Sequence, residues 1–112
     1  MDTLKLYEKK NRLKYNAVKL VLSVCEKNHF KYNYFVKVKK MQKYLPYQIA
    51  LYYFLNQKGM TVREIAEIFS TRNYSNVSTH INNFKEQLKK SDELKKLLTE
   101  IKVLYRNLKV NK

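Results

Sequence analysis

Glycine and proline are almost absent from this chain of 112 residues, which has one of each, Gly59 and Pro46. Sheet proteins usually need more turn-forming residues, so the scarcity favours long helices joined by short polar turns. A single glycine also excludes a glycine-rich phosphate-binding loop of the Walker A type. Length and composition together predict a single all-α domain covering residues 1–112, a small helical bundle.

Cysteine is equally scarce: Cys25 is the only one, so the chain cannot form an internal disulfide, which fits a reducing compartment. The most apolar stretch, residues 17–25, is short and interrupted by Lys19, as is typical of one helix face rather than of a signal peptide or membrane span. His29, His80 and Cys25 are too scattered for a recognisable metal site. We therefore expect a cytoplasmic protein with no membrane partner, no cofactor, no metal and no enzymatic activity.

Acidic residues are few, and 24 Lys+Arg against 9 Asp+Glu give a formal net charge of +15. Such an excess is complementary to a polyanion, with nucleic acid the first candidate and an anionic membrane surface the second. Genomic base composition is an alternative cause of part of this excess, because Lys, Asn and Tyr are all abundant here and all have AT-rich codons. Residues 1–60 hold 13 basic and 3 acidic residues, so a phosphate-facing surface should draw heavily on the first half.

The first 44 residues are predicted to contain a helix from about Leu4 to Lys27, where apolar residues recur at helical spacing. The stretch from His29 to Lys43 is less regular, and a short turn or helix leading into a basic stretch is predicted there. Two interpretations of its lysines and aromatic rings stay open. They could follow a nucleic-acid backbone and stack on unpaired bases, or the segment could be half-buried with its lysines in water.

Residues 45–112 are predicted to hold four further helices. The first should have Pro46 in its first turn and end near Gly59. Thr61 and Glu64 form a capping box that opens a short helix. Four polar residues, 70–73, then precede a helix with an apolar stripe spaced four, three and four, and Ser91 or Asp92 caps the last helix. The stripe consists of Val77, Ile81, Phe84 and Leu88.

Two helices joined by a short polar turn, the first of them capped, form a helix-turn-helix pattern. If the apolar stripe faces the core, small hydroxyl and amide side chains face outward at the start of the second helix. Such groups can donate to and accept from base edges in the major groove, and Arg72 just before them could reach a phosphate or a guanine. An ordinary solvated helix face is the alternative. The outward residues are Tyr74, Ser75, Asn76, Ser78, Thr79 and Asn82.

Three blocks of this region carry a resemblance to a known family. They are Leu45-Pro46-Tyr47-Gln48-Ile49-Ala50, Thr61-Val62-Arg63-Glu64-Ile65-Ala66, and Phe69-Ser70-Thr71-Arg72-Asn73-Tyr74-Ser75-Asn76-Val77. At the same spacing and without a gap, they resemble domain IV of the bacterial replication initiator DnaA, which has Pro-Arg-Gln-Ile-Ala, then Ser/Thr-x-x-Glu-Ile-Gly, then Phe-Gly-Gly-Arg-Asp-His-Ser/Thr-Thr-Val. The resemblance runs from Pro46 to about Tyr105 and implies a Trp-repressor-like DNA-binding fold.

By position, the resemblance implies major-groove contacts from residues 72–76, a minor-groove contact from Lys39 or Lys40, and a place near the phosphates for Gln48. Asn73 and Tyr74 replace the family's Asp and His, so the target sequence is expected to differ. Ser-Thr replaces Gly-Gly at residues 70–71, so a turn with positive φ there would be strained. The candidate DNA-binding residues are Lys39, Lys40, Lys43, Gln48, Arg63, Arg72, Asn73, Tyr74, Ser75, Asn76, Ser78 and Thr79.

The sequence therefore predicts a stand-alone protein that binds double-stranded DNA and lacks the initiator's ATPase. Control of replication initiation or of transcription would suit it, as would a bacterial, phage or mobile-element origin. Two alternatives remain. The chain could be a protein-interaction module that regulates a replication or transcription factor, or it could bind RNA or single strands through residues 30–44.

Overall fold

The computed structural model describes residues 3–37 and 43–110, with side chains placed for 11–37 and 43–108. The described residues are helical apart from short connections and include no strand, which confirms the all-α prediction. None of the described helices is both long enough and apolar enough to cross a membrane. The helices are α1 (Thr3–Asn28), α2 (Tyr32–Val36), α3 (Leu45–Gln57), α4 (Val62–Ile68), α5 (Tyr74–Leu88) and α6 (Asp92–Val110).

Helix α3 lies at the centre of the molecule and packs on α1, α4, α5 and α6. Its apolar residues are buried on almost all sides, as expected for a helix surrounded by others. Helix α1 packs most extensively on α6, so the segment before residue 44 and the helices after it share one hydrophobic core. The buried residues of α3 are Gln48, Ala50, Leu51, Tyr52, Phe54 and Leu55.

Three helices end in the same way, with a residue of positive φ one or two positions after the last helical residue. His29 after α1 has φ 58°, Gly59 after α3 has φ 107° and Ser70 after α4 has φ 53°. In each case two backbone N–H groups close back onto the last turn, as in a Schellman motif. After α1, for example, the Phe30 N–H donates to the Cys25 carbonyl at 2.8 Å. Gly59 is the one position of the three that the sequence identified as a helix stop.

The described part of the segment between α1 and α3 contains the short helix predicted as one option for it, and most of its aromatic side chains point inward. Phe35 and Tyr44 are buried, and Phe30 packs on both, with ring centroids 5.7 Å and 4.8 Å away. Tyr34 is exposed, and the Lys31 ammonium lies 5.6 Å from its ring centroid. The half-buried interpretation therefore holds for the described part of this segment.

The core contains a thiol and a tyrosine hydroxyl whose pKa values are changed by burial. Burial raises the pKa of the Cys25 thiol to about 11 and that of the Tyr52 hydroxyl to about 12. The pKa of Tyr32 is also raised, first by burial and then by the proximity of Cys25. Cys25 is a core residue, as expected, and at neutral pH its thiol is protonated.

Candidate nucleic-acid interface

Helix α4 begins with the capping box that the sequence predicted. The Glu64 N–H donates to Thr61 Oγ1 at 3.2 Å, and the Thr61 N–H donates to Glu64 Oε1 at 3.0 Å. The reciprocal pair satisfies two N–H groups that a helix start would otherwise leave without partners. Helix α4 packs on α3 and α5 and presents Arg63 to solvent. These contacts therefore fix the point at which the turn between α4 and α5 begins.

The turn between α4 and α5 is held by its own backbone and side chains. Ser70 has φ 53°, where the resembled family has glycine, so the strain expected from this substitution is present. The Thr71 N–H donates to the Ala66 carbonyl at 3.0 Å, and the Asn73 N–H donates to Thr71 Oγ1 at 3.1 Å. These bonds hold Arg72 between two fixed points, with its side chain exposed.

Asn73 is the N-cap of α5, a role that the sequence reading missed. Its Oδ1 accepts the Asn76 N–H at 3.0 Å. Asparagine is among the preferred residues directly before a helix, so this signal was present in the sequence. The cap occupies the side-chain oxygen and leaves the exposed NH₂ group to donate elsewhere.

Helix α5 has the two faces that its sequence predicts. Val77, Ile81 and Phe84 are buried, and Leu88 packs against the same core. Most candidate contact residues lie on the other side, at or near the N-terminal end, and Ser78 is half-buried between the two faces. The core contacts hold the helix, so the exposed side chains project from a fixed backbone. The exposed residues are Arg72, Asn73, Tyr74, Ser75, Asn76, Thr79 and Asn82.

Of the three lysines before α3 that were predicted to contact DNA, the structure describes only one. The Lys43 side chain is exposed and its ammonium lies 5.1 Å from the centroid of the Tyr44 ring. Lys39 and Lys40, the two candidates for a minor-groove contact, lie outside the described residues.

Gln48 is not where the resemblance puts it, and its assignment to the phosphate surface is wrong. The side chain is 2% exposed, and its Nε2 donates to the Phe35 carbonyl at 2.6 Å. A buried amide needs a hydrogen-bond partner, and here α2 provides one. Gln48 is therefore a core residue that joins α2 to α3.

Carboxylates are missing from long stretches of the chain on either side of Glu64 and Glu67. Residues 27–63 contain eight Lys+Arg and no Asp or Glu, and residues 68–85 also have no Asp or Glu. Of the two acidic residues between these stretches, Glu64 serves the capping box and Glu67 Oε2 lies 3.4 Å from Lys14 Nζ. No free carboxylate of α4 therefore opposes an anion at the turn.

No protein-family model matches the sequence, and comparison with curated proteins and with solved structures gives no significant match. The similarity to the initiator's DNA-binding domain consequently rests on the three sequence blocks alone.

Proposed function

We propose that this protein binds double-stranded DNA, with α4 and α5 acting as a helix-turn-helix and the start of α5 in the major groove. The observation that carries the proposal is the cluster of exposed polar side chains around Arg72, Ser75 and Asn76 on a helix whose opposite face is buried. Hydroxyl and amide groups read base edges, and the positive end of the helix dipole attracts phosphate. Fixed backbone placement is what base readout requires.

The exposed residues divide into two roles. Arg72, Asn73, Ser75, Asn76 and Thr79 contact bases or the phosphates at the groove edge, because they lie at the N-terminal end of α5. The exposed cations on other elements, Arg63 and Lys43, contact phosphates and supply affinity without sequence information.

The likeness of the three sequence blocks to DnaA domain IV supports a DNA-binding role for these helices. The protein would occupy DNA sites to control replication initiation or transcription in the cytoplasm. Asn73 and Tyr74, which differ from the family's Asp and His, would give it a sequence preference different from the initiator's.

Selection of bound duplexes from a random library tests the proposal directly. We expect an enriched motif that the protein binds more tightly than unrelated duplexes. Arg72→Ala should weaken binding to the selected duplex by about 1–3 kcal/mol and relax the preference at one base position. Lys43→Ala should weaken binding to duplexes of all sequences similarly, and it should reduce the slope of log K against the log of the salt concentration by about one.

Lys19→Ala is the matched control, because it removes one positive charge from an exposed position on α1. It should leave the ratio of selected to unselected binding unchanged. Failure to bind any duplex at low salt, or selection without an enriched motif, would reject the proposal.

A further inference from the structure

A cleft of about 480 Å³ lies between the C-terminal parts of α3 and α5 and the side of α6. Leu88, the last residue of α5, forms part of its wall, whereas the proposed DNA contacts surround the first residue, Tyr74. A helix of this length separates its two ends by roughly 20 Å. The cleft therefore lies well away from the proposed DNA contacts.

The floor of the cleft is apolar and aromatic. Phe54 and Tyr105 meet edge to face with ring centroids 5.2 Å apart, and Leu98 lies beside them. All three side chains are buried in the core, at 3%, 6% and 7% exposure. A cleft of this size has room for one large apolar side chain, and burial of such an anchor is the main source of affinity in many interfaces.

The rim of the cleft is positively charged. Lys58, Lys102 and Arg106 line it, and none of the described carboxylates does. The Lys58 ammonium lies 5.4 Å from the Phe54 ring centroid and 5.3 Å from that of Tyr105, so it stands directly above the floor. Within the part of the chain that the structure describes, none of these three cations forms an ion pair. Other lysines, on α1, on α6 and directly after α5, do have acidic partners.

We propose that this cleft binds a short acidic segment of a partner protein, which inserts one large apolar side chain between Lys58 and the aromatic floor. Carboxylates flanking that side chain would then lie against the three rim cations, where their charge is complementary. A nucleic-acid strand fits less well, because strand binding uses exposed rings along an extended cationic groove. The rings here are buried and the cations surround one point.

This inference does not rest on DNA binding. If both proposals hold, one molecule can occupy DNA through the start of α5 and carry a partner at the other end. If DNA binding fails, the cleft remains a protein-binding site and the chain is an interaction module.

Fluorescence anisotropy with the whole protein and a labelled peptide tests the proposal. The probe is fluoresceinyl-Glu-Asp-Glu-Trp-Glu-Asp-amide, with one control peptide that has Ala for Trp and another that has Lys for every acidic residue. We expect the Ala peptide to bind roughly thirtyfold more weakly and the Lys peptide not to bind. Lys58→Gln and Arg106→Gln should each weaken binding of the Trp peptide roughly fivefold to tenfold.

Lys19→Gln is the control variant, because Lys19 also lies over a tyrosine ring, at 4.8 Å from the Tyr15 centroid, but on α1. It should bind the Trp peptide as the unaltered protein does. Equal losses in the control and the cleft variants would show general charge attraction and overturn the proposal. So would no peptide binding at low salt, or a single-stranded oligothymidylate whose binding depends on Lys58 and Arg106 more strongly than that of the peptide.

Discussion

Gln48 joins the short helix α2 to the central helix α3 through a single hydrogen bond. The carbonyl that it satisfies belongs to Phe35, near the end of a five-residue helix, where carbonyls lack partners within the helix. Gln48 is the one buried polar side chain among the described residues, and none of their buried side-chain N or O atoms lacks a partner. This amide therefore adds a hydrogen bond between α2 and α3 to the apolar contacts that Phe35 and Val36 make in the core.

Replacing Gln48 with Met keeps the length of the side chain and removes the donor. The Phe35 carbonyl would remain buried without its partner, so the free energy of unfolding should fall by about 1–3 kcal/mol. Urea unfolding followed by circular dichroism measures this change. The matched control is Gln57→Met on the exposed side of the same helix, which should change stability by less than about 0.5 kcal/mol. Equal stability of the two variants would show that the buried bond has no net effect.

Asn73 combines a structural role with a proposed functional one, and a single substitution separates them. Asn73→Asp keeps the oxygen that caps α5 and adds a negative charge at the positive end of the helix. The free energy of unfolding should stay equal or rise by about 0.3–1 kcal/mol. Binding to the motif selected by the unaltered protein should weaken, because a donor is replaced by an acceptor next to phosphate.

Asn73→Ala gives the contrasting result for the same position. It removes the cap and should lower the free energy of unfolding by about 1 kcal/mol. If the Asp variant bound the selected duplex as tightly as the unaltered protein, Asn73 would have no part in DNA recognition.

At the level of elements, periodicity and capping residues were enough to predict most helices. The apolar stripe of α5, the capping box of α4 and the stop at Gly59 all lie where the sequence indicated, and Ser91 caps α6 through a bond from the Leu94 N–H at 3.2 Å. These features involve residues close together in the chain. Their geometry follows from local chemistry.

The features that the sequence did not predict depend on packing between distant residues. His29 takes up positive φ without being glycine, because the surrounding helices fix where the chain must turn. Gln48 can be buried because its side chain donates to the carbonyl of Phe35, a residue of α2 that lies 13 positions earlier in the sequence. No local pattern indicates either effect, and the resemblance placed Gln48 near the phosphates instead of in the core.

The strained turn after α4 gives a prediction at this scale. Ser70→Gly relieves a left-handed conformation that costs residues with a Cβ roughly 1–2 kcal/mol, less the greater freedom of glycine in the unfolded chain. We expect the free energy of unfolding to rise by about 0.5–1 kcal/mol in urea titrations. Ser70→Ala keeps the Cβ and should give no such gain. A similar rise in both variants would assign the effect to the lost hydroxyl instead.

For the molecule as a whole, the core limits stability at high pH. The pKa of Cys25 is 9.0 in the unfolded chain and about 11 in the fold, and Tyr52 rises from 10.0 to about 12. The folded state holds these protons more tightly, so their contribution to stability is complete below pH 9. It is lost as the pH rises from about 9 toward 12.

Urea unfolding at neutral pH and at several values above pH 9 measures this loss. In Cys25→Ala, the free energy of unfolding should fall less steeply between pH 9 and 11 than in the unaltered protein. The fall caused by Tyr52 should remain. Val21→Ala is the control, since Val21 is buried on the same helix and has no proton to lose, so its profile should stay parallel to that of the unaltered protein. Parallel profiles for all three proteins would mean that the thiol does not contribute.

The packing of α1 on α6 also has a consequence for synthesis. The ribosome makes α1 first, but the helix that covers it most extensively begins roughly 60 residues later, at Asp92. At ordinary translation speeds this interval lasts roughly 3–12 seconds. During that time the apolar face of α1, including Leu20, Val21 and Val24, lacks its main cover. Chaperone binding and aggregation would compete with folding in that interval, before α6 has left the exit tunnel.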